Sequence, residues 1–314
     1  MPNRNLPRIT VITPSLNQAE FLERAICGVL DQGYENLEYI VMDGGSCDNS
    51  AEIIRLYEED LTYWQSAPDE GPADAINQAI QRATGDIIAV LNADDLYLPG
   101  TLDSVAEKFM HSDAPAWVVG HCLRIGEMDE QLGQLIIESP KNLAGFLTQD
   151  AGHIPASASF YSRSLVDAYG WFDPQLKFAW GYEHHCRLIA QGLRPVIIPA
   201  LVTAHREHAR SKTAQNTLRC GAEFIDAAAR YADRLAFEHR NALWTGIDER
   251  RRIYDLARTE MATNPSRRNL WKQLLRQPWW LGNDRYRQTL MHGVTHPTSL
   301  AYQHTDMPAA RRAA

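Results

Sequence analysis

Over the first two-thirds of the chain, short runs of β-branched and aromatic residues alternate with longer stretches in which apolar positions recur every third or fourth residue. The first pattern predicts buried strands and the second amphipathic helices. "RITVITPSLN" reads as a strand running into a polar loop, and "NQAEFLERAICGVLDQG" puts Phe21, Leu22, Ala25, Ile26, Val29 and Leu30 on one helical stripe. Asn17 followed by Glu20 fits a capping box, and Gly33 supplies the stop. "LEYIVMDGGS" is a second strand ending in a glycine turn, followed by a helix at "NSAEIIRLYEE" and a short strand at "LTYWQS". Pro72 opens a helix whose Ala73, Ile76, Ala79, Ile80 and Ala83 point inward, and "DIIAVLN" with "TLDSVAEKFM" gives another strand–helix pair.

This alternation predicts an α/β fold: a mostly parallel, Rossmann-like sheet flanked by helices. Ligands bind such sheets beyond the carboxyl ends of the strands. Four polar stretches fall there: Thr13–Asn17, Asp43–Asp48, Pro68–Asp74 and Asn92–Asp95. One rim therefore gathers Asp43, Asp48, Asp69, Glu70, Asp74, Asp94 and Asp95, and a site this acidic needs a cation if its substrate carries phosphate.

Further along, "WVVGHCL" predicts a strand, and residues 124–150 are less regular. Two helices separated by a turn at Gly170–Pro174 precede a late strand at "PVIIPALVTAHREH". Beyond Ser211 the pattern is helical, with Cys220, Phe224, Ala228, Tyr231 and Leu235 on one face. The division expected is a catalytic domain over 1–214 and a helical C-terminal extension over 215–314.

Charge changes the picture at the tail. The chain carries −8, yet residues 240–290 hold eleven Lys/Arg against five Asp/Glu, together with four of the eight tryptophans. In "RRNLWKQLLRQPWWL", Leu270, Trp271, Leu274 and Leu275 form an apolar stripe among basic residues. It reads either as a helix packed on the catalytic domain or on another subunit of a homo-oligomer, or as a helix lying peripherally on an anionic membrane. The net negative charge argues against nucleic acid as a partner. No stretch reaches the about 20 apolar residues of a membrane span. Five scattered cysteines (27, 47, 122, 186, 220), no C-x-x-C pair and no signal-peptide pattern predict a reduced cytoplasmic protein.

Four segments occur in one order: "TVITPSLNQAEFLERAI", "DGGSCDNS", "DEGPADAINQAIQRATGD" and "LNADDLYLP". With the strand–helix alternation they make residues 8–212 resemble the family 2 glycosyltransferases of GT-A fold. The resemblance implies a nucleotide-sugar donor, a UDP-sugar by preference, a saccharide or lipid-linked acceptor, and a role in surface polysaccharide or glycolipid assembly. It implies nucleotide contacts from Thr13, Pro14, Ser15 and Asn17, base recognition by Asp43, and a lining of nucleotide and diphosphate by Asp74 and Asn77. "NADD" stands at the family's D-x-D position, with Asn92, Ala93 and Asp94 near the ribose and Asp94 and Asp95 toward Mn²⁺ or Mg²⁺. Asp95 is expected to be the direct ligand, His208 to complete the metal site or contact the diphosphate, and Arg210 and Lys212 to add positive charge there.

The sequence departs from the family at the catalytic base. Where members read Asp-x-(Asp/Glu)-x-x-x-Arg-Leu, "GYEHHCRL" has Gly181 first and Glu183 second. Glu183 is the first choice for the base, with His184 and His185 as alternatives and loss of transfer as a third outcome. On a helix, a two-residue offset turns a side chain by about 200° from the original face. With a base in place the reaction is a single displacement with inversion at the anomeric carbon.

Blander readings stand beside these. Asp94–Asp95 alone fits a solvated turn before Pro99, and "DGGSCDNS" a glycine turn with a helix cap at Asp48 or Asn49. "DAINQA" fits a polar helix face and His208 a surface histidine. His153, His184 and His185 lack metal spacing and read as acceptor-side or structural residues. Trp171, Trp180 and Tyr182 suit either sugar stacking or the core. Competing functions are a degenerate sugar-nucleotide-binding protein, a nucleotidyltransferase and a dehydrogenase. The last two want a glycine-rich loop after the first strand, and "TPSLNQ" contains no glycine.

Overall fold

The computed structural model describes residues 6–110, 116–148, 154–241 and 243–245. The parallel half of the sheet comes from β1 (Ile9–Ser15), β2 (Leu37–Asp43), β3 (Tyr63–Ser66) and β4 (Ile87–Val90). The rest comes from β5 (Leu96–Tyr97), β6 (Trp117–Ile125), β7 (Gln131–Leu135), β8 (Ser159–Ser162) and β9 (Val196–Arg206). The order is β3-β2-β1-β4-β8-β6-β9-β5, with β7 paired to β6. Strands β1 to β4 run parallel, as the alternation predicts, whereas β8, β7 and β5 pair antiparallel and make the second half mixed.

Helices α1 (Ala19–Leu30), α2 (Ser50–Leu56), α3 (Pro72–Arg82) and α4 (Thr101–Met110) connect or follow the parallel strands. The short α5 (Leu143–Thr148) and α6 (Arg163–Tyr169) precede α7 (Trp180–Ala190), and α8 (Lys212–Gln215) and α9 (Thr217–Ala229) follow β9. The predicted stripes are the buried ones: Phe21, Leu22, Ala25, Ile26 and Val29 on α1, and Ala73, Ile76, Ala79 and Ile80 on α3. Each fully buried isoleucine contributes about 1.5–3 kcal/mol relative to leaving it exposed.

The start of α1 differs from the predicted capping box. Asn17 lies in the left-handed region (φ 54°), and the helix's first donors are met from another loop. Asp48 Oδ2 accepts from the Ala19 amide at 3.0 Å, and Ser50 Oγ accepts from the Gln18 amide at 3.2 Å. Asp48 thus serves both helix starts, because its Oδ1 also accepts from the Ser50 amide at 3.0 Å, the first donor of α2. This ties the first two rim loops into one body.

The core does not stop at residue 214. Ile225, Ala227, Ala228, Tyr231, Ala232, Leu235 and Leu243 are buried in the same apolar cluster as the sheet. The first part of the expected extension thus packs into the same core as the sheet. The basic, tryptophan-rich segment with its stripe at 270–275, and most of the rest of the extension, lie outside the described residues, as does His153. No described helix is long and apolar enough to cross a membrane.

Candidate functional site

Parallel register sets the first half of the site. Ser15 closes β1 opposite Asp43 at the end of β2, and Asp43 pairs with Ser66 at the end of β3. The Asp43 carboxylate is 2% exposed and accepts from the Ser46 amide at 2.9 Å, Ser46 Oγ at 2.5 Å and Ser66 Oγ at 2.6 Å. These bonds fix its orientation at the strand ends. Beside it, the Ser15 hydroxyl is buried with no hydrogen-bond partner among the described residues, a donor awaiting an acceptor.

The other residues of the first loop play different parts. Thr13 is fully buried and its hydroxyl lies 3.1 Å from the Tyr39 hydroxyl, inside the core rather than on the rim. Pro14 is a buried residue of β1. Asn17 holds the loops together: its amide donates to Ser46 Oγ at 2.7 Å and its Oδ1 accepts from the Cys47 amide at 2.8 Å.

Two expected lining residues on α3 are committed to local structure. Asp74 Oδ2 accepts from the Glu70 amide at 3.1 Å and from Gln78 Nε2 at 2.9 Å. Asn77 grips the main chain of Phe172 with both ends of its amide, donating to the carbonyl at 2.7 Å and accepting from the N–H at 3.1 Å.

The adjacent aspartates prove to have opposite surroundings. Asp95, the expected metal ligand, is completely buried. Its Oδ1 lies 3.0 Å from His205 Nδ1 and accepts from the Arg206 amide at 3.0 Å, and its Oδ2 accepts from Asn92 Nδ2 at 3.0 Å. Burial pushes its pKa up, but the His205 charge and these hydrogen bonds outweigh burial and hold it below the ordinary value. The Asp95 carboxylate is thus engaged within the fold, as that of Asp43 is, and Asn92 is one of its donors. Ala93 is buried beneath them.

Asp94 is the open member of the pair, its Oδ2 lying 3.2 Å from His208 Nε2. His208 packs its ring on Phe21, centroids 4.5 Å apart, and its buried Nδ1 has no described partner. Arg206 braces the Asp94 backbone, donating from Nε to its carbonyl at 2.9 Å. His205, Arg206, Ser46 and Ser66 escaped the sequence reading. Only Ser66 carried a signal, its position at a strand end level with Asp43.

One carboxylate oxygen and one imidazole nitrogen on adjoining loops make a fit for Mn²⁺ or Mg²⁺ that takes its remaining ligands from diphosphate oxygens and water. They do not make an all-protein cage. No group of three or more His, Cys, Asp or Glu side chains converges on a cation position among the described residues.

Glu183 is engaged within the fold. It is 5% exposed, Oε1 accepts from the Tyr231 hydroxyl at 2.6 Å, and Oε2 pairs with Arg187 at 3.0 Å. The expected base lies buried between α7 and residues after α9, two residues and so about 200° round the helix from Gly181. The two histidines beside it are also buried. His184 is fully buried, and burial followed by the Arg187 charge holds its pKa well below 6.5. His185 stacks on Trp117 at 4.6 Å and places Nε2 2.7 Å from the Tyr161 hydroxyl. Trp180 meets Phe172 edge-on at 5.0 Å and Tyr182 stacks on Phe146 at 5.4 Å, so both are core residues. Arg210 pairs with Glu20 and Glu127.

Comparison with known proteins adds what geometry alone does not. The family model described as glycosyl transferase family 2 matches residues 10–170. An uncharacterized glycosyltransferase of Mycobacterium tuberculosis (strain ATCC 25618 / H37Rv) is 33% identical over 171 residues, which cover 53% of this chain and 63% of that protein. The GalNAc(5)-diNAcBac-PP-undecaprenol beta-1,3-glucosyltransferase of Campylobacter jejuni is 30% identical over 38% of this chain and 39% of its own length. Among solved structures, S. aureus TarS 1-349 in complex with UDP-GlcNAc superposes with a TM-score of 0.60 at 17% identity, covering 90% of this chain and 81% of that one. The mannosyltransferase PcManGT of Pyrobaculum calidifontis, in complex with GDP-Man and Mn²⁺, gives 0.57 at 18%, covering 95% and 86%. At these identities the two structures show a shared fold.

Proposed function

This chain belongs to glycosyl transferase family 2, and on that premise we propose that it transfers a sugar from a nucleoside-diphosphate sugar to a saccharide or lipid-linked acceptor, with inversion, in surface polysaccharide or glycolipid assembly. The observation that carries this reading is the pairing of two half-sites on one rim. Asp43, with Ser15 beside it, suits a nucleoside base, and Asp94 with His208 suits a cation on the diphosphate. When bound, Mn²⁺ or Mg²⁺ would offset the charge that develops on the departing nucleoside diphosphate. Asp95, His205 and Arg206 hold the Asp94 loop in place for that role. The UDP-GlcNAc bound by TarS and the GDP-Man and Mn²⁺ bound by PcManGT support a donor of this class.

A thermal-shift panel of UDP-, GDP- and dTDP-sugars, each with and without Mn²⁺, tests the proposal. Stabilisation by one donor, larger with metal, is the expected result; no stabilisation by any donor overturns it.

A second reading is favoured by the surroundings of Gly181. Neither Gly181, Glu183, His184 nor His185 offers a side-chain base to the rim. The chain would then bind its donor without transferring the sugar. Donor binding with no transfer to any acceptor in a broad panel selects this reading over the first.

A further inference from the structure

The turn between β6 and β7 lies outside the four motif segments, yet side chains from α1 and from the end of β9 are fastened to it. The Gly126 amide closes this turn on the Glu130 carbonyl at 2.8 Å, and Asp129 within it has φ 64°. Aspartate is one of the few non-glycine residues that tolerate such a backbone. The turn sets the Asp129 carboxylate between two arginines. Oδ1 pairs with Arg206 Nη2 at 2.5 Å, and Oδ2 accepts from Arg24 Nη1 at 2.6 Å.

These arginines support the two members of the Asp94–His208 pair. The Arg206 side chain is fully buried, and Asp129 is the carboxylate its guanidinium pairs with among the described residues. Its Nε donates to the Asp94 carbonyl at 2.9 Å and its Nη1 to the Gly126 carbonyl at 2.9 Å. Arg24 stands one turn beyond Phe21 on α1, its guanidinium 5.4 Å from the Phe21 ring centroid, with that of Arg206 at 5.0 Å. The same ring supports His208, whose Nε2 lies 3.2 Å from Asp94 Oδ2. Contacts therefore run without a break from Asp129 to both Asp94 and His208. Arg210 makes a second tie, from Glu127 in the turn to Glu20 on α1, but it is half exposed, where water and salt screen such pairs. A buried guanidinium deprived of its carboxylate costs far more. Asp129 is the stronger fastening.

We propose that Asp129 is a positioning residue for the metal half-site. It neutralises Arg206, which holds the Asp94 main chain, and it draws Arg24 to Phe21, against which the His208 ring rests. The inference rests on the nucleotide-sugar reading above and extends its site to a hairpin turn that no motif marks. Two ligands on separate loops hold a cation only while both loops keep their spacing. Among the described residues no third His, Cys, Asp or Glu side chain joins Asp94 and His208 to make up for a shift of either.

The test measures Mn²⁺ and nucleotide separately on the full chain. Mn²⁺ binding in saturating UDP or GDP is read by electron paramagnetic resonance of the free ion, and UDP or GDP binding in EDTA by ligand-observed NMR. Asp129→Asn keeps the size of the side chain and its tolerance of positive φ while removing the charge. It should weaken Mn²⁺ binding about tenfold, the size of one charge-assisted contact, and leave nucleotide binding in EDTA within about twofold. Arg24→Gln breaks the more exposed of the two pairs; it should fold normally and weaken Mn²⁺ binding about threefold. Mn²⁺ affinity equal to wild type in Asp129→Asn overturns the positioning role even if the denaturation midpoint falls, since the turn would then serve stability alone. Equal loss of Mn²⁺ and of metal-free nucleotide also overturns it, by showing a general disturbance of the rim. If Asp129→Asn does not fold, Arg24→Gln decides, and unchanged Mn²⁺ affinity there overturns the role. A wild-type chain that binds nucleoside diphosphate but no Mn²⁺ overturns the metal half-site and this role with it. One that binds neither overturns the proposed function.

Discussion

His205 Nδ1 lies 3.0 Å from Oδ1 of Asp95, an ion pair that joins the end of β9 to the loop after β4. It separates the two adjacent aspartates by task. Asp95 builds the loop and Asp94 is left to face His208. Replacing Asp95 with Asn should cost about 1–3 kcal/mol, because donors now aimed at a carboxylate would meet an amide NH₂. A lowered denaturation midpoint in EDTA checks this; an unchanged midpoint with lost metal-dependent donor binding would return Asp95 to the role of metal ligand.

The same pair gives stability a pH dependence. The charge of Asp95 raises the pKa of His205 from 6.5 to about 9, against the opposing effect of burial. A raised folded-state value means the contribution is complete below 6.5 and is lost as pH climbs through about 9. The lowered pKa of Asp95 works at the other end, its contribution being lost as pH falls below the ordinary carboxylate range. Thermal scans from pH 6 to pH 10 should show a decline in wild type that His205→Asn flattens. Parallel profiles for the two proteins would count against the pair.

Asp94→Asn should leave folding in EDTA nearly unchanged and His208→Gln should lower stability by the ring packing lost on Phe21, while both remove most of the gain in donor affinity that Mn²⁺ confers. The Asp94 carboxylate has His208 as its partner and is partly open, so little of the fold depends on it. Calorimetric titration of the donor with and without Mn²⁺ reads this directly. A metal response that survives in both variants would place the cation elsewhere.

Glu183→Gln should act on stability first. The carboxylate joins α7 to Tyr231 and Arg187, so its loss leaves Arg187 with a weaker partner at a cost of about 1.5–3 kcal/mol. Tyr231→Phe, which removes one of these bonds without touching the acid, should reproduce part of the loss. If Glu183→Gln abolished turnover at unchanged stability while Tyr231→Phe had no effect, Glu183 would be the base after all.

Gly181→Asp tests the family's base position directly. The added Cβ would stand 3.3 Å from the Ala156 Cβ, a contact that a small shift of the helix relieves. The variant should raise the rate of transfer to acceptor without changing donor affinity. A rate no higher than wild type, in a variant that folds and binds donor, would show that position 181 does not limit transfer.

Much of this molecule is determined locally and was legible as pattern. Strands β1 to β4, the stripes on α1 and α3 and the gathering of acids at one rim follow from hydrophobic period and turn chemistry, which act over a few residues. The motif order carried family membership for the same reason. What the sequence could not assign was the use of each acid, because that depends on partners far away in the chain. Asp94 and Asp95 are neighbours of identical chemistry, and residues 205–208 on another strand decide which is buried and which faces out. Asn77 looks like a pocket residue until Phe172 takes both ends of its amide. Glu183 reads as a base from its motif, whereas its partner Tyr231 lies far along the chain and gives no local signal. Sequence by itself determined the parallel half of the sheet, its helices and the acids at its strand ends, since these rest on short-range periodicity. Tertiary structure alone decided which partners Asp94 and Asp95 have, because these come from a segment more than a hundred residues away.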